Sequence, residues 1–116
     1  MSTHHLQSMA LEIHAANKSK GFWDSNRKFP EVIALIHSEL SEALEADRQG
    51  DPDFYIDLNT GKPEGAATEL ADAVIRILDY VGSVDLPGMY GLSFDEIIQT
   101  KLQYNAQRPA KHGKEY

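Results

Sequence analysis

Apolar residues return along most of this chain every three or four positions, which is the spacing of one face of an α-helix. Four segments show this pattern, and the third carries the broadest apolar face. The segments are residues 6–18, 31–49, 64–83 and 93–108. Their spacing predicts an all-α protein built on four main helices.

Residues that start or end helices lie where this pattern requires them. Pro30 fits the first turn of the second helix, and Gly50 ends that helix. Ser93 is followed three residues later by Glu96, a capping box that opens the fourth helix, and Pro109 ends it. The helix boundaries are therefore predicted independently of the apolar pattern.

Three connecting segments separate the helices. Residues 22–29 are predicted as a loop, residues 50–64 as a loop with a brief extended piece, and residues 85–91 as a turn. Trp23, in the first loop, is predicted to be exposed. It is either a packing anchor or a surface on which a nucleotide base stacks.

The composition favours a single domain spanning residues 1–116, with 41% hydrophobic and 25% charged residues. A domain of this size has little surface to bury, which favours oligomerisation. The chain has no apolar run of membrane-spanning length and no signal pattern, so we expect a cytoplasmic protein without membrane contact. Its net charge of -7 argues against nucleic-acid binding, and the absence of cysteine excludes disulfides and thiolate nucleophiles.

Two pairs of acidic residues have the same spacing on successive helices. Glu39 and Glu42 are three residues apart, as are Glu69 and Asp72, so each pair stands on one helix face. If the two helices lie side by side, four carboxylates converge, and their repulsion is relieved when cations bind between them. Oxygen ligands favour Mg²⁺, Mn²⁺ or Ca²⁺. The alternative is a solvated face on which Asp72 pairs with Arg76.

The last helix carries polar residues on the side that its apolar residues occupy. Lys101, Asn105 and Arg108 continue the side of Phe94 and the isoleucines that follow it, so we expect them to point toward the interior or a cleft. A similar placement on the second helix predicts that His37 is a core histidine.

The ordered set of these residues resembles the MazG-type all-α nucleoside triphosphate pyrophosphohydrolases. The resemblance rests on Glu39-Leu-Ser-Glu42, on Glu69-Leu-Ala-Asp72 after 26 intervening residues, and on Lys101 and Asn105 in the last helix. It runs from about Pro30 to Gly113. It implies a compact helical bundle that assembles as a homodimer or homotetramer, with active sites that borrow residues from a neighbouring subunit.

The resemblance also implies an activity, which is Mg²⁺-dependent hydrolysis of NTPs or dNTPs to the monophosphate and pyrophosphate. Mn²⁺ is an alternative to Mg²⁺. The implied metal ligands are Glu39, Glu42, Glu69 and Asp72. By family likeness Glu39 is the general base, although the sequence does not distinguish it from Glu42.

The implied substrate-binding residues are Lys101, Asn105 and Arg108. Specificity for the base is expected in the first helix and the following loop, where the candidates are His14, Asn17 and Trp23.

Two other functions fit the same residues. One is a non-catalytic helical dimerisation or nucleotide-sensing module whose acidic residues serve solubility. The other is a metal-dependent phosphohydrolase acting on a different diphosphate. Cleavage at the α phosphorus, which leaves a nucleoside monophosphate, separates the pyrophosphohydrolase from both.

Overall fold

A computed structural model describes residues 5–108 of the chain. Within this range the protein has five helices and one small antiparallel sheet of two strands. The elements are α1 His5–Ser19, α2 Phe29–Arg48, β1 Tyr55–Ile56, β2 Pro63–Glu64, α3 Ala66–Ser83, α4 Leu86–Tyr90 and α5 Phe94–Gln107.

The predicted elements agree closely with the observed ones. The four main helices lie within two residues of the predicted bounds at the ends that the structure describes, and the extended piece of the 50–64 loop is the sheet. The capping box is confirmed, since Ser93 Oγ accepts from the Glu96 amide while the Glu96 carboxylate accepts from the Ser93 amide. The predicted turn at 85–91 is instead the short helix α4, capped by Asp85. Pro109 lies outside the described residues.

Helix α3 is the central element, because both α1 and α2 pack along it. Ala10 of α1 approaches Gly82 and His14 approaches Asp79, so the residue numbers run in opposite directions along these two helices. The acidic residues show the same antiparallel relation between α2 and α3. The chain is thus a layer of three long helices with α3 in the middle.

The N-termini of α1 and α5 cap one another. The backbone amides of Leu6 and Gln7 donate to the two carboxylate oxygens of Asp95, each at 2.8 Å. In return, the side-chain oxygen of Gln7 accepts from the Phe94 amide, also at 2.8 Å. These bonds satisfy amides that a helix leaves unpaired in its first turn, and they fix α5 against α1.

The apolar core lies between α1 and α3 at the end nearest α5. Ala10, Leu78 and Val81 are its buried members, and the partly buried side chains packed against them are Leu6, Ile13, Leu86 and Phe94. Gly82 allows the two helices to approach closely, since a Cβ atom at this position would lie 2.3 Å from the Ala10 carbonyl oxygen.

A single chain is less compact than the predicted bundle. Its radius of gyration is 17.1 Å, whereas about 13 Å is typical of a domain of this length. Large apolar side chains of α2 and α3 that were expected in the core are exposed, namely Leu40, Leu44, Leu70, Val74 and Ile77. His37 is also exposed, so the prediction of a core histidine is wrong. The compact bundle, which oligomerisation is expected to complete, stays a prediction.

Within residues 5–108 we find no helix that combines the length and apolar character needed to cross a membrane.

Replacing Gly82 with alanine should destabilise the protein although alanine is the better helix former. The added methyl group meets the Ala10 backbone, so α1 and α3 must separate. We expect a loss of about 1–3 kcal/mol in the free energy of unfolding, measured by urea denaturation. The control is Ser83→Ala, because Ser83 follows Gly82 directly and its side chain is exposed. Equal stability of the two variants would refute the close packing of α1 and α3.

Candidate functional site

Three of the predicted acidic ligands meet between α2 and α3. Glu39, Glu69 and Asp72 each place one carboxylate oxygen within 4.8 Å of the others. Glu39 is only 8% exposed, and the other two are partly buried. The spacing of three residues on α3 puts Glu69 and Asp72 on one face, as predicted, and the antiparallel packing brings α2 against that face.

The pair of helices α2 and α3 buries carboxylates as well as apolar side chains such as Val32, Ala43 and Ala73. The acidic residues face the gap between the helices, whereas Leu40 of α2 and Leu70 of α3, each adjacent in sequence to an acidic residue of the cluster, are exposed. Burying like charges is unfavourable unless opposite charge compensates them. The cluster is therefore a candidate cation site.

The surroundings of Glu69 shift its ionisation the most within the cluster. Burial, the hydrogen bond with Glu42 and the charges of Glu42, Asp72 and Glu39 together raise the pKa of Glu69 to about 7. A carboxyl group with this pKa holds a proton over part of the neutral range. A divalent ion bound nearby would favour its ionised form instead.

Glu42 lies at the edge of the cluster. It is exposed, and it borders a separate cleft of about 240 Å³ on the side of the β-hairpin, together with Glu69 and Lys62. It is not one of the three residues whose oxygens group within 4.8 Å of one another. Glu42 therefore contacts the cluster through its hydrogen bond with Glu69.

Arg76 supplies positive charge to the cluster from within the chain. Its Nε donates to Oε1 of Glu39 at 3.0 Å, across the gap between α3 and α2. Among residues 5–108 its ion-pair partner is Glu39 and not Asp72, so the alternative of a solvated Asp72–Arg76 pair is wrong. The sequence showed the arginine one turn after Asp72, but it did not indicate the partner on α2.

Two residues of the cluster, Glu39 and Asp72, line a cavity of about 440 Å³. Arg76 lies beside them, and the lining also includes residues of α1 and of the loop that follows it. The lining residues are Asn17, Phe22, Arg27, Glu39, Asp72, Ile75, Arg76 and Asp79. This cavity combines carboxylates, two arginines and apolar surface, which suits a ligand with a polyphosphate and a ring.

Asp79 fixes the wall of the cavity opposite the cluster. It is 6% exposed, and its carboxylate accepts from His14 Nδ1 and from Asn17 Nδ2 at 2.9 Å, and from Trp23 Nε1 at 2.9 and 3.1 Å. Because a carboxylate only accepts, His14 carries its proton on Nδ1 in this arrangement. The network ties α1 and the 22–29 loop to α3.

Trp23 is half-buried, so the prediction of an exposed tryptophan is wrong. Its indole ring packs edge-on against His14, with ring centroids 4.9 Å apart, and the Arg27 guanidinium lies 5.5 Å from its centroid. Trp23 lines a small cavity of about 20 Å³ beside the larger one. These contacts make it a packing anchor, and its role in substrate binding stays a prediction. The neighbouring Phe22, which the sequence did not single out, borders the large cavity.

The predicted substrate-binding residues of α5 are not brought to the cluster within one chain. Lys101, Asn105 and Arg108 are exposed, and none of them lines the cavity of the acidic cluster. Lys101 instead stands 5.1 Å from the Tyr104 ring centroid and borders a shallow apolar groove. The expectation that these residues point toward the interior is wrong for the single chain, although Lys101 does border a cleft. Helix α5 packs on α1, and Phe94 at its start joins the core between α1 and α3, which lies at the end of α3 away from the acidic cluster.

No family model matches this chain, and no curated protein or solved structure is significantly similar to it.

Replacing Asp79 with asparagine should destabilise the protein substantially. In the wild type, Asn17 and Trp23 donate hydrogen bonds to a carboxylate oxygen of Asp79. Asparagine replaces one carboxylate oxygen with an NH₂ group, which does not accept, so at least one buried donor loses its acceptor. We expect a loss of about 2–4 kcal/mol in the free energy of unfolding, measured by urea denaturation. The exposed Asp47→Asn on α2 should change stability by less than about 0.5 kcal/mol. Similar values for both variants would contradict a structural role for the Asp79 network.

The stability of the metal-free protein should fall as the pH rises through the range in which Glu69 titrates. Its pKa is raised from 4.5 to about 7, so the folded state binds more protons than the unfolded state between these values. Rising pH removes that proton and lowers stability until about pH 7, above which the contribution is constant. Melting temperatures in EDTA from about pH 5 to about pH 8 should therefore decline by several degrees more for the wild type than for Glu69→Gln. Parallel curves would show that the carboxylates do not interact.

Proposed function

We propose that this protein is a divalent-metal-dependent nucleoside triphosphate pyrophosphohydrolase of the MazG type, which releases a nucleoside monophosphate and pyrophosphate. The observation that carries the proposal is the meeting of Glu39, Glu69 and Asp72 from two helices within 4.8 Å. Two of these residues, Glu39 and Asp72, line a cavity that two arginines also line.

The donor set fits Mg²⁺ or Mn²⁺. The three side chains that group within 4.8 Å of one another are carboxylates, which hard divalent cations prefer, and the charges of Glu42, Asp72 and Glu39 add to burial in raising the pKa of Glu69. Glu39, Glu69 and Asp72 would hold the ion, with Glu42 assisting from the edge. Such an ion, when bound, neutralises phosphate oxygens and lowers the pKa of a coordinated water.

The protein's own residues supply the remaining functions. Glu39, buried at the mouth of the cavity, accepts the proton of the attacking water, whose oxygen forms the new bond to the α phosphorus. The bond from the α phosphorus to the bridging oxygen breaks, and the departing pyrophosphate carries its charge toward Arg76 and Arg27. Phe22 and Ile75 offer apolar surface to the nucleoside at the other end.

The family resemblance extends the site to a second copy of the chain. Lys101, Asn105 and Arg108 lie away from the cluster, so they contact its substrate only if a neighbouring subunit provides them. The exposed apolar residues of α2 and α3 support such an assembly, because an isolated monomer gains nothing from leaving them in water. We propose a homodimer or homotetramer.

One observation favours a non-catalytic nucleotide-sensing or dimerisation module as the second candidate. The ion pair between Arg76 and Glu39 compensates part of the cluster's charge without any metal ion. In this alternative the acidic cluster is structural, and the cavity binds a ligand without cleaving it.

A panel of NTPs and dNTPs with and without Mg²⁺ separates the candidates. Pyrophosphate, detected as inorganic phosphate after adding a pyrophosphatase, and an equal amount of nucleoside monophosphate should both appear only with Mg²⁺. A different diphosphate compound as the only substrate would support the other phosphohydrolase. No turnover on any nucleotide, with melting unchanged by Mg²⁺, would favour the module.

Glu39→Gln should remove most of the activity while leaving the helix content intact. Glutamine has nearly the same shape, but it neither accepts the proton of water nor balances the charge of a cation. We expect turnover to fall by at least about 100-fold, measured by pyrophosphate release. Glu12→Gln on the exposed side of α1 is the matched control and should retain activity.

The same variants should respond differently to Mg²⁺ in a melting experiment. An ion that binds only the folded site raises the melting temperature of the wild type and of Glu12→Gln. The increase should be smaller for Glu39→Gln. Wild-type turnover by Glu39→Gln would remove this residue from the mechanism.

A further inference from the structure

Arg76 contacts a residue that the proposed site needs for its metal ion. Its Nε lies 3.0 Å from Oε1 of Glu39, and that carboxylate is one of the three that meet between α2 and α3. The Glu39 side chain is 10% exposed and the Arg76 side chain 36% exposed. The carboxylate is thus fixed in the helix gap, whereas the guanidinium reaches it from the cavity side.

A guanidinium in this position is a counter-ion that the chain itself supplies. Arginine stays protonated at all accessible pH values, so it balances negative charge in the gap whether or not a metal ion is present. A divalent ion bound to Glu39 at short range is repelled by the same positive charge. The contact of Arg76 with Glu39 and occupation of the cluster by a divalent ion therefore oppose each other.

The cavity offers the Arg76 guanidinium a second position. Arg76 lines the cavity of about 440 Å³ together with Arg27, Asn17 and Phe22. A guanidinium that leaves Glu39 can turn into this space, where its planar set of donors matches the oxygens of a phosphate chain. Arg27 already borders the same space, so two arginines would face the same ligand.

We propose that Arg76 occupies Glu39 in the metal-free protein and is displaced from it when a divalent ion binds, which frees its guanidinium for polyphosphate in the cavity. The inference rests on the proposed function, because it takes the carboxylate cluster as the metal site. It adds a coupling, since the ion and the polyphosphate each favour the same position of Arg76 and therefore strengthen each other's binding.

The opposite role for Arg76 gives an opposite result. If Arg76 positions Glu39 for the ion, removing the arginine weakens metal binding, whereas removing a competitor strengthens it. Metal affinity measured without any substrate therefore distinguishes the two roles by the direction of the change.

The test uses Mn²⁺ alone as the probe and counts the free ion by electron paramagnetic resonance in titrations of the full-length protein. Arg76→Gln should bind Mn²⁺ about tenfold more tightly than the wild type. Arg48→Gln, which removes an exposed arginine from the last turn of α2, should stay within about twofold and so controls for net charge. Arg76→Met keeps the aliphatic stem of the side chain and should behave as Arg76→Gln does, which guards against a folding defect in either variant.

Unchanged or weaker Mn²⁺ binding by both Arg76 variants, with normal binding by the wild type, would overturn the displacement and leave the metal site intact. Absence of binding by every protein, including the wild type, would overturn both the displacement and the proposed function. The two failures are therefore distinct.

A second titration tests the released guanidinium. With Mn²⁺ saturating, calorimetry with inorganic tripolyphosphate should show about tenfold weaker binding by Arg76→Gln than by the wild type and Arg48→Gln. Mn²⁺ complexes of tripolyphosphate in solution are the same for all three proteins, so the comparison is unaffected by them. Equal affinities would refute the phosphate-binding role of Arg76.

Discussion

The placement of carboxylates between α2 and α3 is the constraint on which the rest of this structure depends. Like charges in a partly dry gap repel, and this repulsion adds to burial in raising the pKa of Glu69. The two helices bury apolar residues, among them Val32, Ala43 and Ala73, yet they also place carboxylates in the gap at a cost in stability. This cost is explained if the cluster binds a cation. The Arg76–Glu39 ion pair offsets part of the negative charge when no cation is bound.

Asp79 is also a buried acidic residue, but its role differs from that of the cluster. Asp79 lies two turns after Asp72 on the same helix, yet its carboxylate is fully occupied by His14, Asn17 and Trp23. These donors come from α1 and from the loop after it, so the network fixes the far wall of the cavity relative to the acidic cluster. Asp79 therefore has a structural role, because its hydrogen bonds hold α1 and the following loop in position at the cavity wall. The acidic residues of α3 thus belong to the carboxylate cluster at one end of the helix and to a buried hydrogen-bond network at the other.

Much of the fold could be predicted from the sequence because the signals for helices are local. Apolar spacing, Pro30, Gly50 and the Ser93 capping box fixed the bounds of the main helices. The meeting of Glu39 with Asp72 was also predictable, since identical spacing on two adjacent helices brings the residues together in only a few ways. What was missed is long-range. Neither the Arg76–Glu39 pair nor the burial of Asp79 has a local signal, because both depend on which helix faces which.

The wrong predictions for α5 follow from the same limit and bear on the assembly. Periodicity assigns Lys101 to the apolar side of its helix, but it does not say what covers that side, and in one chain nothing described brings α5 to the acidic cluster. The exposed leucines of α2 and α3 have the same explanation. Both sets of residues would be covered if a second copy of the chain extended the apolar core. A second copy that covers Leu40 and Leu70 would sit against the two helices that hold the carboxylates, and it would exclude water from the cluster. Oligomerisation and metal binding would then depend on each other, because a drier cluster repels itself more strongly and binds a cation more tightly.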